Sequence, residues 1–102
     1  MNRTSITADE LASSAVTIID IRKAPDDRQI PGSIRLDGAA LEDPNAMPPF
    51  DPAEPVVLYC GSGNSCSRIA QTLRDRGYDA VALEGGYKAW VESGKATDPR
   101  GA

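Results

Sequence analysis

The sequence predicts an α/β fold in which a mostly parallel sheet is covered by helices on both faces. Two observations lead there. Short apolar runs at 16–21, 56–59 and 80–83 are aliphatic, β-branched or aromatic with little polar alternation, the pattern of strands buried on both sides. Helical spacings follow two of these runs, at Ile69, Ala70 and Leu73 and again at Tyr87, Trp90 and Val91, so strand and helix alternate along the chain. The 102 residues are read as one domain, 1–102, because half that length would not bury a convincing core.

The first element is a short helix announced by Thr7-Ala8-Asp9-Glu10, a capping box in which Thr7 caps the first turn and Glu10 reaches back, with Leu11 on the apolar side. The run 16–21 is rich in β-branched residues and reads as a strand with Asp20 and Arg22 at its carboxyl end. Two explanations fit those charges: a solvated or mutually paired surface couple, or support for an active site. Residues 23–28 form a polar loop containing Pro25, and Ile30-Pro31-Gly32 is turn chemistry leading to a brief strand at 33–36. Residues 37–55 contain Pro44, Pro48, Pro49, Pro52 and Pro55, which leaves room for one short helix around 39–41. The segment is expected to be an ordered connection, since the strands on its two sides need each other to form a sheet.

Pro55 precedes the central strand Val56-Val57-Leu58-Tyr59, which delivers Cys60 to its carboxyl end. The loop Gly61-Ser62-Gly63-Asn64-Ser65-Cys66 then feeds a helix that Gly77 stops after Arg74 and Arg76. The run 80–83 is another strand, broken by Glu84-Gly85-Gly86. A last helix places Tyr87, Trp90 and Val91 on one face, its aromatic pair read as core packing rather than ligand stacking, and ends near Gly94. The core is expected to span residues 4–94, with a flexible tail at 95–102 in which residues 98–102 fray.

The carboxyl edge of an open α/β sheet is where ligands bind, and a loop entering a helix turns several backbone N–H groups toward one point. That nest favours an anion, so a cysteine held there ionises more readily than a free thiol. With 11 Lys and Arg against 15 Asp and Glu, the net charge of −4 argues against binding to nucleic acid or an anionic membrane. Met1-Asn2-Arg3-Thr4 is not followed by a signal-type apolar region and no apolar run is long enough to span a bilayer, so a cytoplasmic location is expected. The chain has no histidine, which removes Cys-His and Ser-His-Asp activation and histidine-dependent metal sites; no cofactor and no metal are expected. Any nucleophile must be activated by its surroundings. Cys66 fits two descriptions: a small packing residue in the first helical turn, or a resolving thiol for an oxidised or persulfidated Cys60.

Three stretches, taken in series, resemble the rhodanese-like (sulfurtransferase) family. They are Ile19-Asp20-Ile21-Arg22 with Ile30-Pro31-Gly32-Ser33, then Tyr59-Cys60-Gly61-Ser62-Gly63-Asn64-Ser65, then Leu83-Glu84-Gly85-Gly86-Tyr87-Lys88-Ala89-Trp90. The resemblance implies a single rhodanese-like domain, α/β, with a central, mostly parallel five-stranded sheet. It implies that Cys60 is the catalytic nucleophile, taking a sulfane sulfur from thiosulfate or a persulfide donor and passing it to cyanide or a thiol. A thioredoxin-like or other protein thiol is among the acceptors it allows. Gly61, Ser62, Gly63, Asn64, Ser65 and Cys66 would bind substrate through their amides, with Gly61 and Gly63 supplying the dihedrals the loop needs. Asp20, Arg22 and Arg68 would support them. The chain departs from the family where many members carry a basic residue in the loop, having Gly61 and Ser65, and where a histidine is usual it has Gln29. Such a loop offers dipoles but no cation, so a doubly charged donor is expected to bind weakly. Two other classes share the fold: a non-catalytic or redox-sensing interaction domain, and a cysteine phosphatase or arsenate reductase. The latter needs Cys-x5-Arg, and this chain has Cys66 at the arginine position.

Overall fold

The fully buried run Val56–Tyr59 (β5) forms the middle of the sheet, and its alternating side chains divide the core in two. Val56 and Leu58 face one apolar cluster, while Val57 and Tyr59 face the other. The computed structural model describes residues 4–23, 28–45 and 47–99. Among them the elements run β1 (Ser5–Ile6), α1 (Ala8–Ala12), β2 (Thr17–Asp20), β3 (Arg28–Gln29), β4 (Ile34–Arg35), α2 (Gly38–Glu42), β5, α3 (Asn64–Asp75), β6 (Ala80–Leu83), α4 (Gly86–Glu92) and β7 (Asp98–Pro99). The five-stranded sheet has the order β1-β6-β5-β2-β4 and every pairing in it is parallel.

Parallel neighbours require crossovers, and these place helices on both faces as the alternation of elements predicts. Leu41 of α2 and Cys66, Ile69, Ala70 and Leu73 of α3 pack on Ile19, Val56, Leu58, Ala80 and Ala82. Ala8 and Leu11 of α1 and Trp90 of α4 pack with Ile6, Val57, Tyr59 and Leu83 on the opposite side. The α1 capping box is present in full: the Thr7 hydroxyl accepts from the Glu10 amide at 3.2 Å, and the Glu10 carboxylate accepts from the Thr7 amide at 3.0 Å. At the other end of α3, Gly77 takes a left-handed φ of 90°, and its amide and that of Tyr78 return to the Arg74 and Leu73 carbonyls.

Three expectations change. Asp98–Pro99, in the segment expected to fray, pairs antiparallel with Arg28–Gln29, and the Trp90 indole donates to the Ala96 carbonyl at 2.8 Å. The Arg28 guanidinium also bonds Thr97. Side-chain donors, invisible to local propensity, anchor this segment; residues 100–102 lie outside the described residues. Val91 is half exposed rather than sharing the buried stripe with Trp90, because α4 packs through Gly86 and Trp90, four apart, and this turns Val91 outward. The fifth strand of the sheet is Ser5–Ile6, too short for a periodic signal of its own, and the predicted strand at 16–21 contracts to Thr17–Asp20. Pro25, assigned to a polar loop, lies outside the described residues. Among the described residues no helix is long and apolar enough to cross a membrane.

Candidate active site

Cys60 follows the last residue of β5 and is almost wholly buried. The chain turns at once, and the amides of Gly63 and Cys66 point back at its sulfur, at 3.1 and 3.3 Å from Sγ. Gly63 makes this turn possible: its φ is +100°, and a Cβ there would come within 3.1 Å of the Gly85 nitrogen. Gly61 does not share that role, contrary to the sequence expectation. Its φ is not in the left-handed region, and a Cβ would meet nothing within 4 Å.

The loop is held from above by the start of α4. The amides of Tyr87 and Lys88 donate to the carbonyls of Cys60 and Gly61 at 2.8 and 3.0 Å. So close an approach leaves no room for a side chain at Gly86, where a Cβ would lie 2.6 Å from the Cys60 carbonyl oxygen and 2.7 Å from the Gly63 nitrogen.

Cys66 is completely buried, its thiol 3.4 Å from the Gly63 carbonyl oxygen. The neighbouring Cys66 thiol is the largest influence drawing the Cys60 pKa down, to about 5; burial opposes it, and the Cys66, Gly63 and Ser62 amides reinforce it. The Cys66 pKa moves up, because the neighbouring Cys60 sulfur favours its protonated form and its burial penalises charge. Cys66 is thus a packing residue whose thiol faces the Gly63 and Leu83 carbonyls, and both thiols are free.

Asp20 and Arg22 form a buried pair, not the solvated couple that was one of the two sequence explanations. Asp20 is fully buried, and Arg22 grips it with Nε at 3.0 Å and a terminal nitrogen at 2.8 Å. Burial pushes the Asp20 carboxyl up, but the hydrogen bonds and charge of Arg22 outweigh it and bring the pKa below the ordinary value. The Arg22 guanidinium lies 4.2 Å from the centre of the Tyr87 ring and 5.4 Å from that of Tyr59. Tyr59 in turn accepts the Ile30 amide at its hydroxyl and bonds the Ser33 hydroxyl at 3.0 Å. Burial is the main reason its pKa is pushed up to about 12. Carboxyl ends of β2 and β5, the 30–33 turn and the first turn of α4 are therefore tied together behind Cys60.

In front of it opens a cleft of about 800 Å³. Cys60, Gly61, Ser62 and Ser65 form one wall, and Arg22, Lys23 and Arg35 line it from the strand side. Arg68 stands at the rim, bonded to Glu42 at 2.9 and 3.3 Å, so its guanidinium is engaged by a carboxylate. Of the loop residues expected to bind substrate, Gly63 and Cys66 act on the sulfur through their amides, whereas Asn64 begins α3 and is exposed. Lys23 and Arg35 were missed by sequence reasoning, which took Arg22 and Arg68 as the basic residues beside the loop. Nothing local marks a residue of a two-residue edge strand as facing a distant cysteine. Gly86 did carry a signal, the Gly85-Gly86 pair, though a turn alone explained it.

A family model described as rhodanese-like domain matches residues 5–93. A tRNA sulfurtransferase of Desulfurococcus amylolyticus is 36% identical over 80 residues, covering 74% of this chain; the match spans only 15% of that protein's length. A rhodanese-related protein from Thermoplasma volcanium has the same fold, with a TM-score of 0.81 at 24% identity over 94% of this chain and 98% of that one. A protein of unknown function from Rhodopseudomonas palustris, described as a possible tyrosine phosphatase, aligns with a TM-score of 0.76 at 30% identity over 93% and 84% of the two chains. The matched span takes in all five strands of the parallel sheet, the Cys60 loop and the Gly85-Gly86 turn, and the chain belongs to the rhodanese-like domain family.

Proposed function

We propose that this chain is a sulfurtransferase of the thiosulfate sulfurtransferase type, working through a persulfide on Cys60. The observation that supports this most is a thiolate-favouring cysteine under two aimed amides at the base of an open cleft, in a chain without histidine. A mechanism with that equipment needs a nucleophile that is already ionised and no proton transfer at the reacting atom. The Cys60 thiolate attacks the outer sulfur of thiosulfate, the S–S bond of the donor breaks, and sulfite leaves with the bonding pair. The persulfide now carries the negative charge on its terminal sulfur. Cyanide, a small thiol or the thiol of a thioredoxin-like protein then attacks that sulfur, forming thiocyanate or a new persulfide and returning the Cys60 thiolate. The amides of Gly63 and Cys66 favour the anion before and after each transfer.

Sequence similarity to part of a tRNA sulfurtransferase supports sulfur transfer as the reaction class. Phosphoryl transfer is the weaker reading, because the position of the arginine in Cys-x5-Arg is held by the fully buried Cys66. Steady-state formation of thiocyanate from thiosulfate and cyanide tests the proposal. Wild type is expected to turn over and Cys60→Ser to be inactive; a folded wild type that forms no thiocyanate while hydrolysing an aryl phosphate would reverse the assignment.

A further inference from the structure

The loop around Cys60 has no cation, yet the cleft in front of it is basic. Its lining includes Arg22, Lys23, Arg35 and Arg68 against Asp37 and Glu42, in a chain whose net charge is −4. These four cations are not equivalent. Arg22 is spent on Asp20 and on the Arg28 carbonyl, and is almost fully buried. Arg68 is balanced by Glu42. Lys23 is exposed on a bend, where its flexible stem gives a mobile charge.

Arg35 combines anchoring with excess charge. One terminal nitrogen donates to the Asp20 carbonyl oxygen at 3.2 Å, with an Asp20 carboxylate oxygen at 3.5 Å, and the side chain is 38% exposed and lines the cleft. Asp20 is already neutralised by its two-point grip from Arg22, so the Asp20, Arg22 and Arg35 cluster keeps one positive charge. The sheet register then fixes where that charge sits. Arg35 is level with Asp20, and Asp20 is level with Tyr59, the residue before Cys60. Two strand spacings, about 10 Å, separate Arg35 from Tyr59 across the sheet edge, and Arg35 and Cys60 both line the same cleft, whose other wall a small oxyanion can reach from Cys60.

We propose that Arg35 is a donor-selecting residue: it binds the oxyanion end of a small sulfonate-type sulfane donor, thiosulfate being the simplest, while the outer sulfur of that donor faces Cys60. This rests on the sulfurtransferase reading for its substrate, though the anion site itself does not depend on turnover. The weak thiosulfate binding expected of a cation-free loop is accordingly offset from the opposite wall, and Lys23 adds a looser attraction.

The test compares wild type, Arg35→Gln, Arg35→Lys and Lys23→Gln with two donors: thiosulfate, and a hydroxyethyl persulfide that has no oxyanion. Arg35→Gln should raise KM for thiosulfate about tenfold and leave kcat and the persulfide donor within about twofold, since a charge-assisted contact to the oxyanion is lost. Arg35→Lys should recover part of the loss, and Lys23→Gln should matter less. The wild-type KM should rise with ionic strength more steeply than that of Arg35→Gln. An unchanged KM for thiosulfate, or equal losses with both donors, overturns the proposal. A second readout is independent of turnover: sulfate should slow iodoacetamide alkylation of Cys60 in wild type and lose that effect in Arg35→Gln. Protection through Arg35 in a protein that makes no thiocyanate would reject sulfur transfer and keep the anion site; absence of protection together with an unchanged KM would reject the site alone.

Discussion

The carbonyl oxygen of Cys60 accepts a hydrogen bond from the Tyr87 amide at 2.8 Å, so the backbone of the proposed nucleophile is fixed by the first turn of α4 and not only by its own loop. The contact requires Gly86 between them. A methyl group there would overlap the Cys60 carbonyl, and its φ of +63° already disfavours any side chain.

Gly86→Ala should therefore cost about 1–3 kcal/mol of stability, from strain and overpacking, and should lower thiocyanate formation by more than an order of magnitude because the loop must shift. Gly61→Ala, which meets nothing, should stay within about 0.5 kcal/mol of wild type. Denaturant melts and initial rates of the two variants, measured side by side, check the contrast. Equal effects would mean that the glycines of the loop and of the turn are interchangeable, against the geometry.

Ionisation of Cys60 should be visible in its alkylation by iodoacetamide. Only the thiolate reacts, so the rate should climb through pH about 5 and then level, instead of climbing toward the ordinary thiol value of 9.0. Cys66→Ala removes the strongest influence, the neighbouring thiol, and should move the midpoint upward while the remaining amides keep it below 9.0. A midpoint unmoved in Cys66→Ala would assign the activation to the amides alone.

Removing one member of the buried ion pair should be severe. Asp20→Asn leaves the Arg22 guanidinium buried without its counter-charge, a change of about 3–5 kcal/mol. The wild-type contribution also has a pH sign. Because the Asp20 pKa is lowered from 3.8 in the fold, its stabilisation is present above that value and is lost as pH falls below it through the folded-state pKa. Acid unfolding of wild type should accordingly be steeper below pH 3.8 than that of Asp20→Asn; parallel curves would contradict the pair's assigned role.

The paired segment after α4 predicts a further effect. Truncation after Gly94 removes the Ala96 acceptor of the Trp90 indole and the Thr97 partner of Arg28, whose own carbonyl is bonded by Arg22. A loss of about 1–3 kcal/mol is expected from the unsatisfied groups. Thermal melts of the truncated and full chains would show it, and identical melting temperatures would mean that the segment is dispensable.

How legible all this was in the sequence depended on range. Val56 to Tyr59 and the Gly77 stop declare themselves because burial on both faces and a left-handed cap each leave a local signature. Cys60 followed from its place at a strand's end. Ser5–Ile6 was hidden because two residues have no period, and only the β6 partner makes them a strand. Asp20 and Arg22 were found as a couple, but their burial depends on Tyr59 and Tyr87 closing over them from other elements. Arg35 reaches the cleft through the register of three adjacent strands, which no spacing along the chain encodes.

The central claim is that sulfur passes through Cys60, and the mass of the intact protein reads it most directly. After thiosulfate is added and removed, wild type should gain the mass of one sulfur atom and lose it again on exposure to cyanide, with one thiocyanate formed for each sulfur lost. Cys60→Ser should gain nothing, and Cys66→Ser should still form the adduct. An adduct that persists in Cys60→Ser and vanishes in Cys66→Ser, or a folded wild type that never gains sulfur from thiosulfate or a persulfide, would contradict the account.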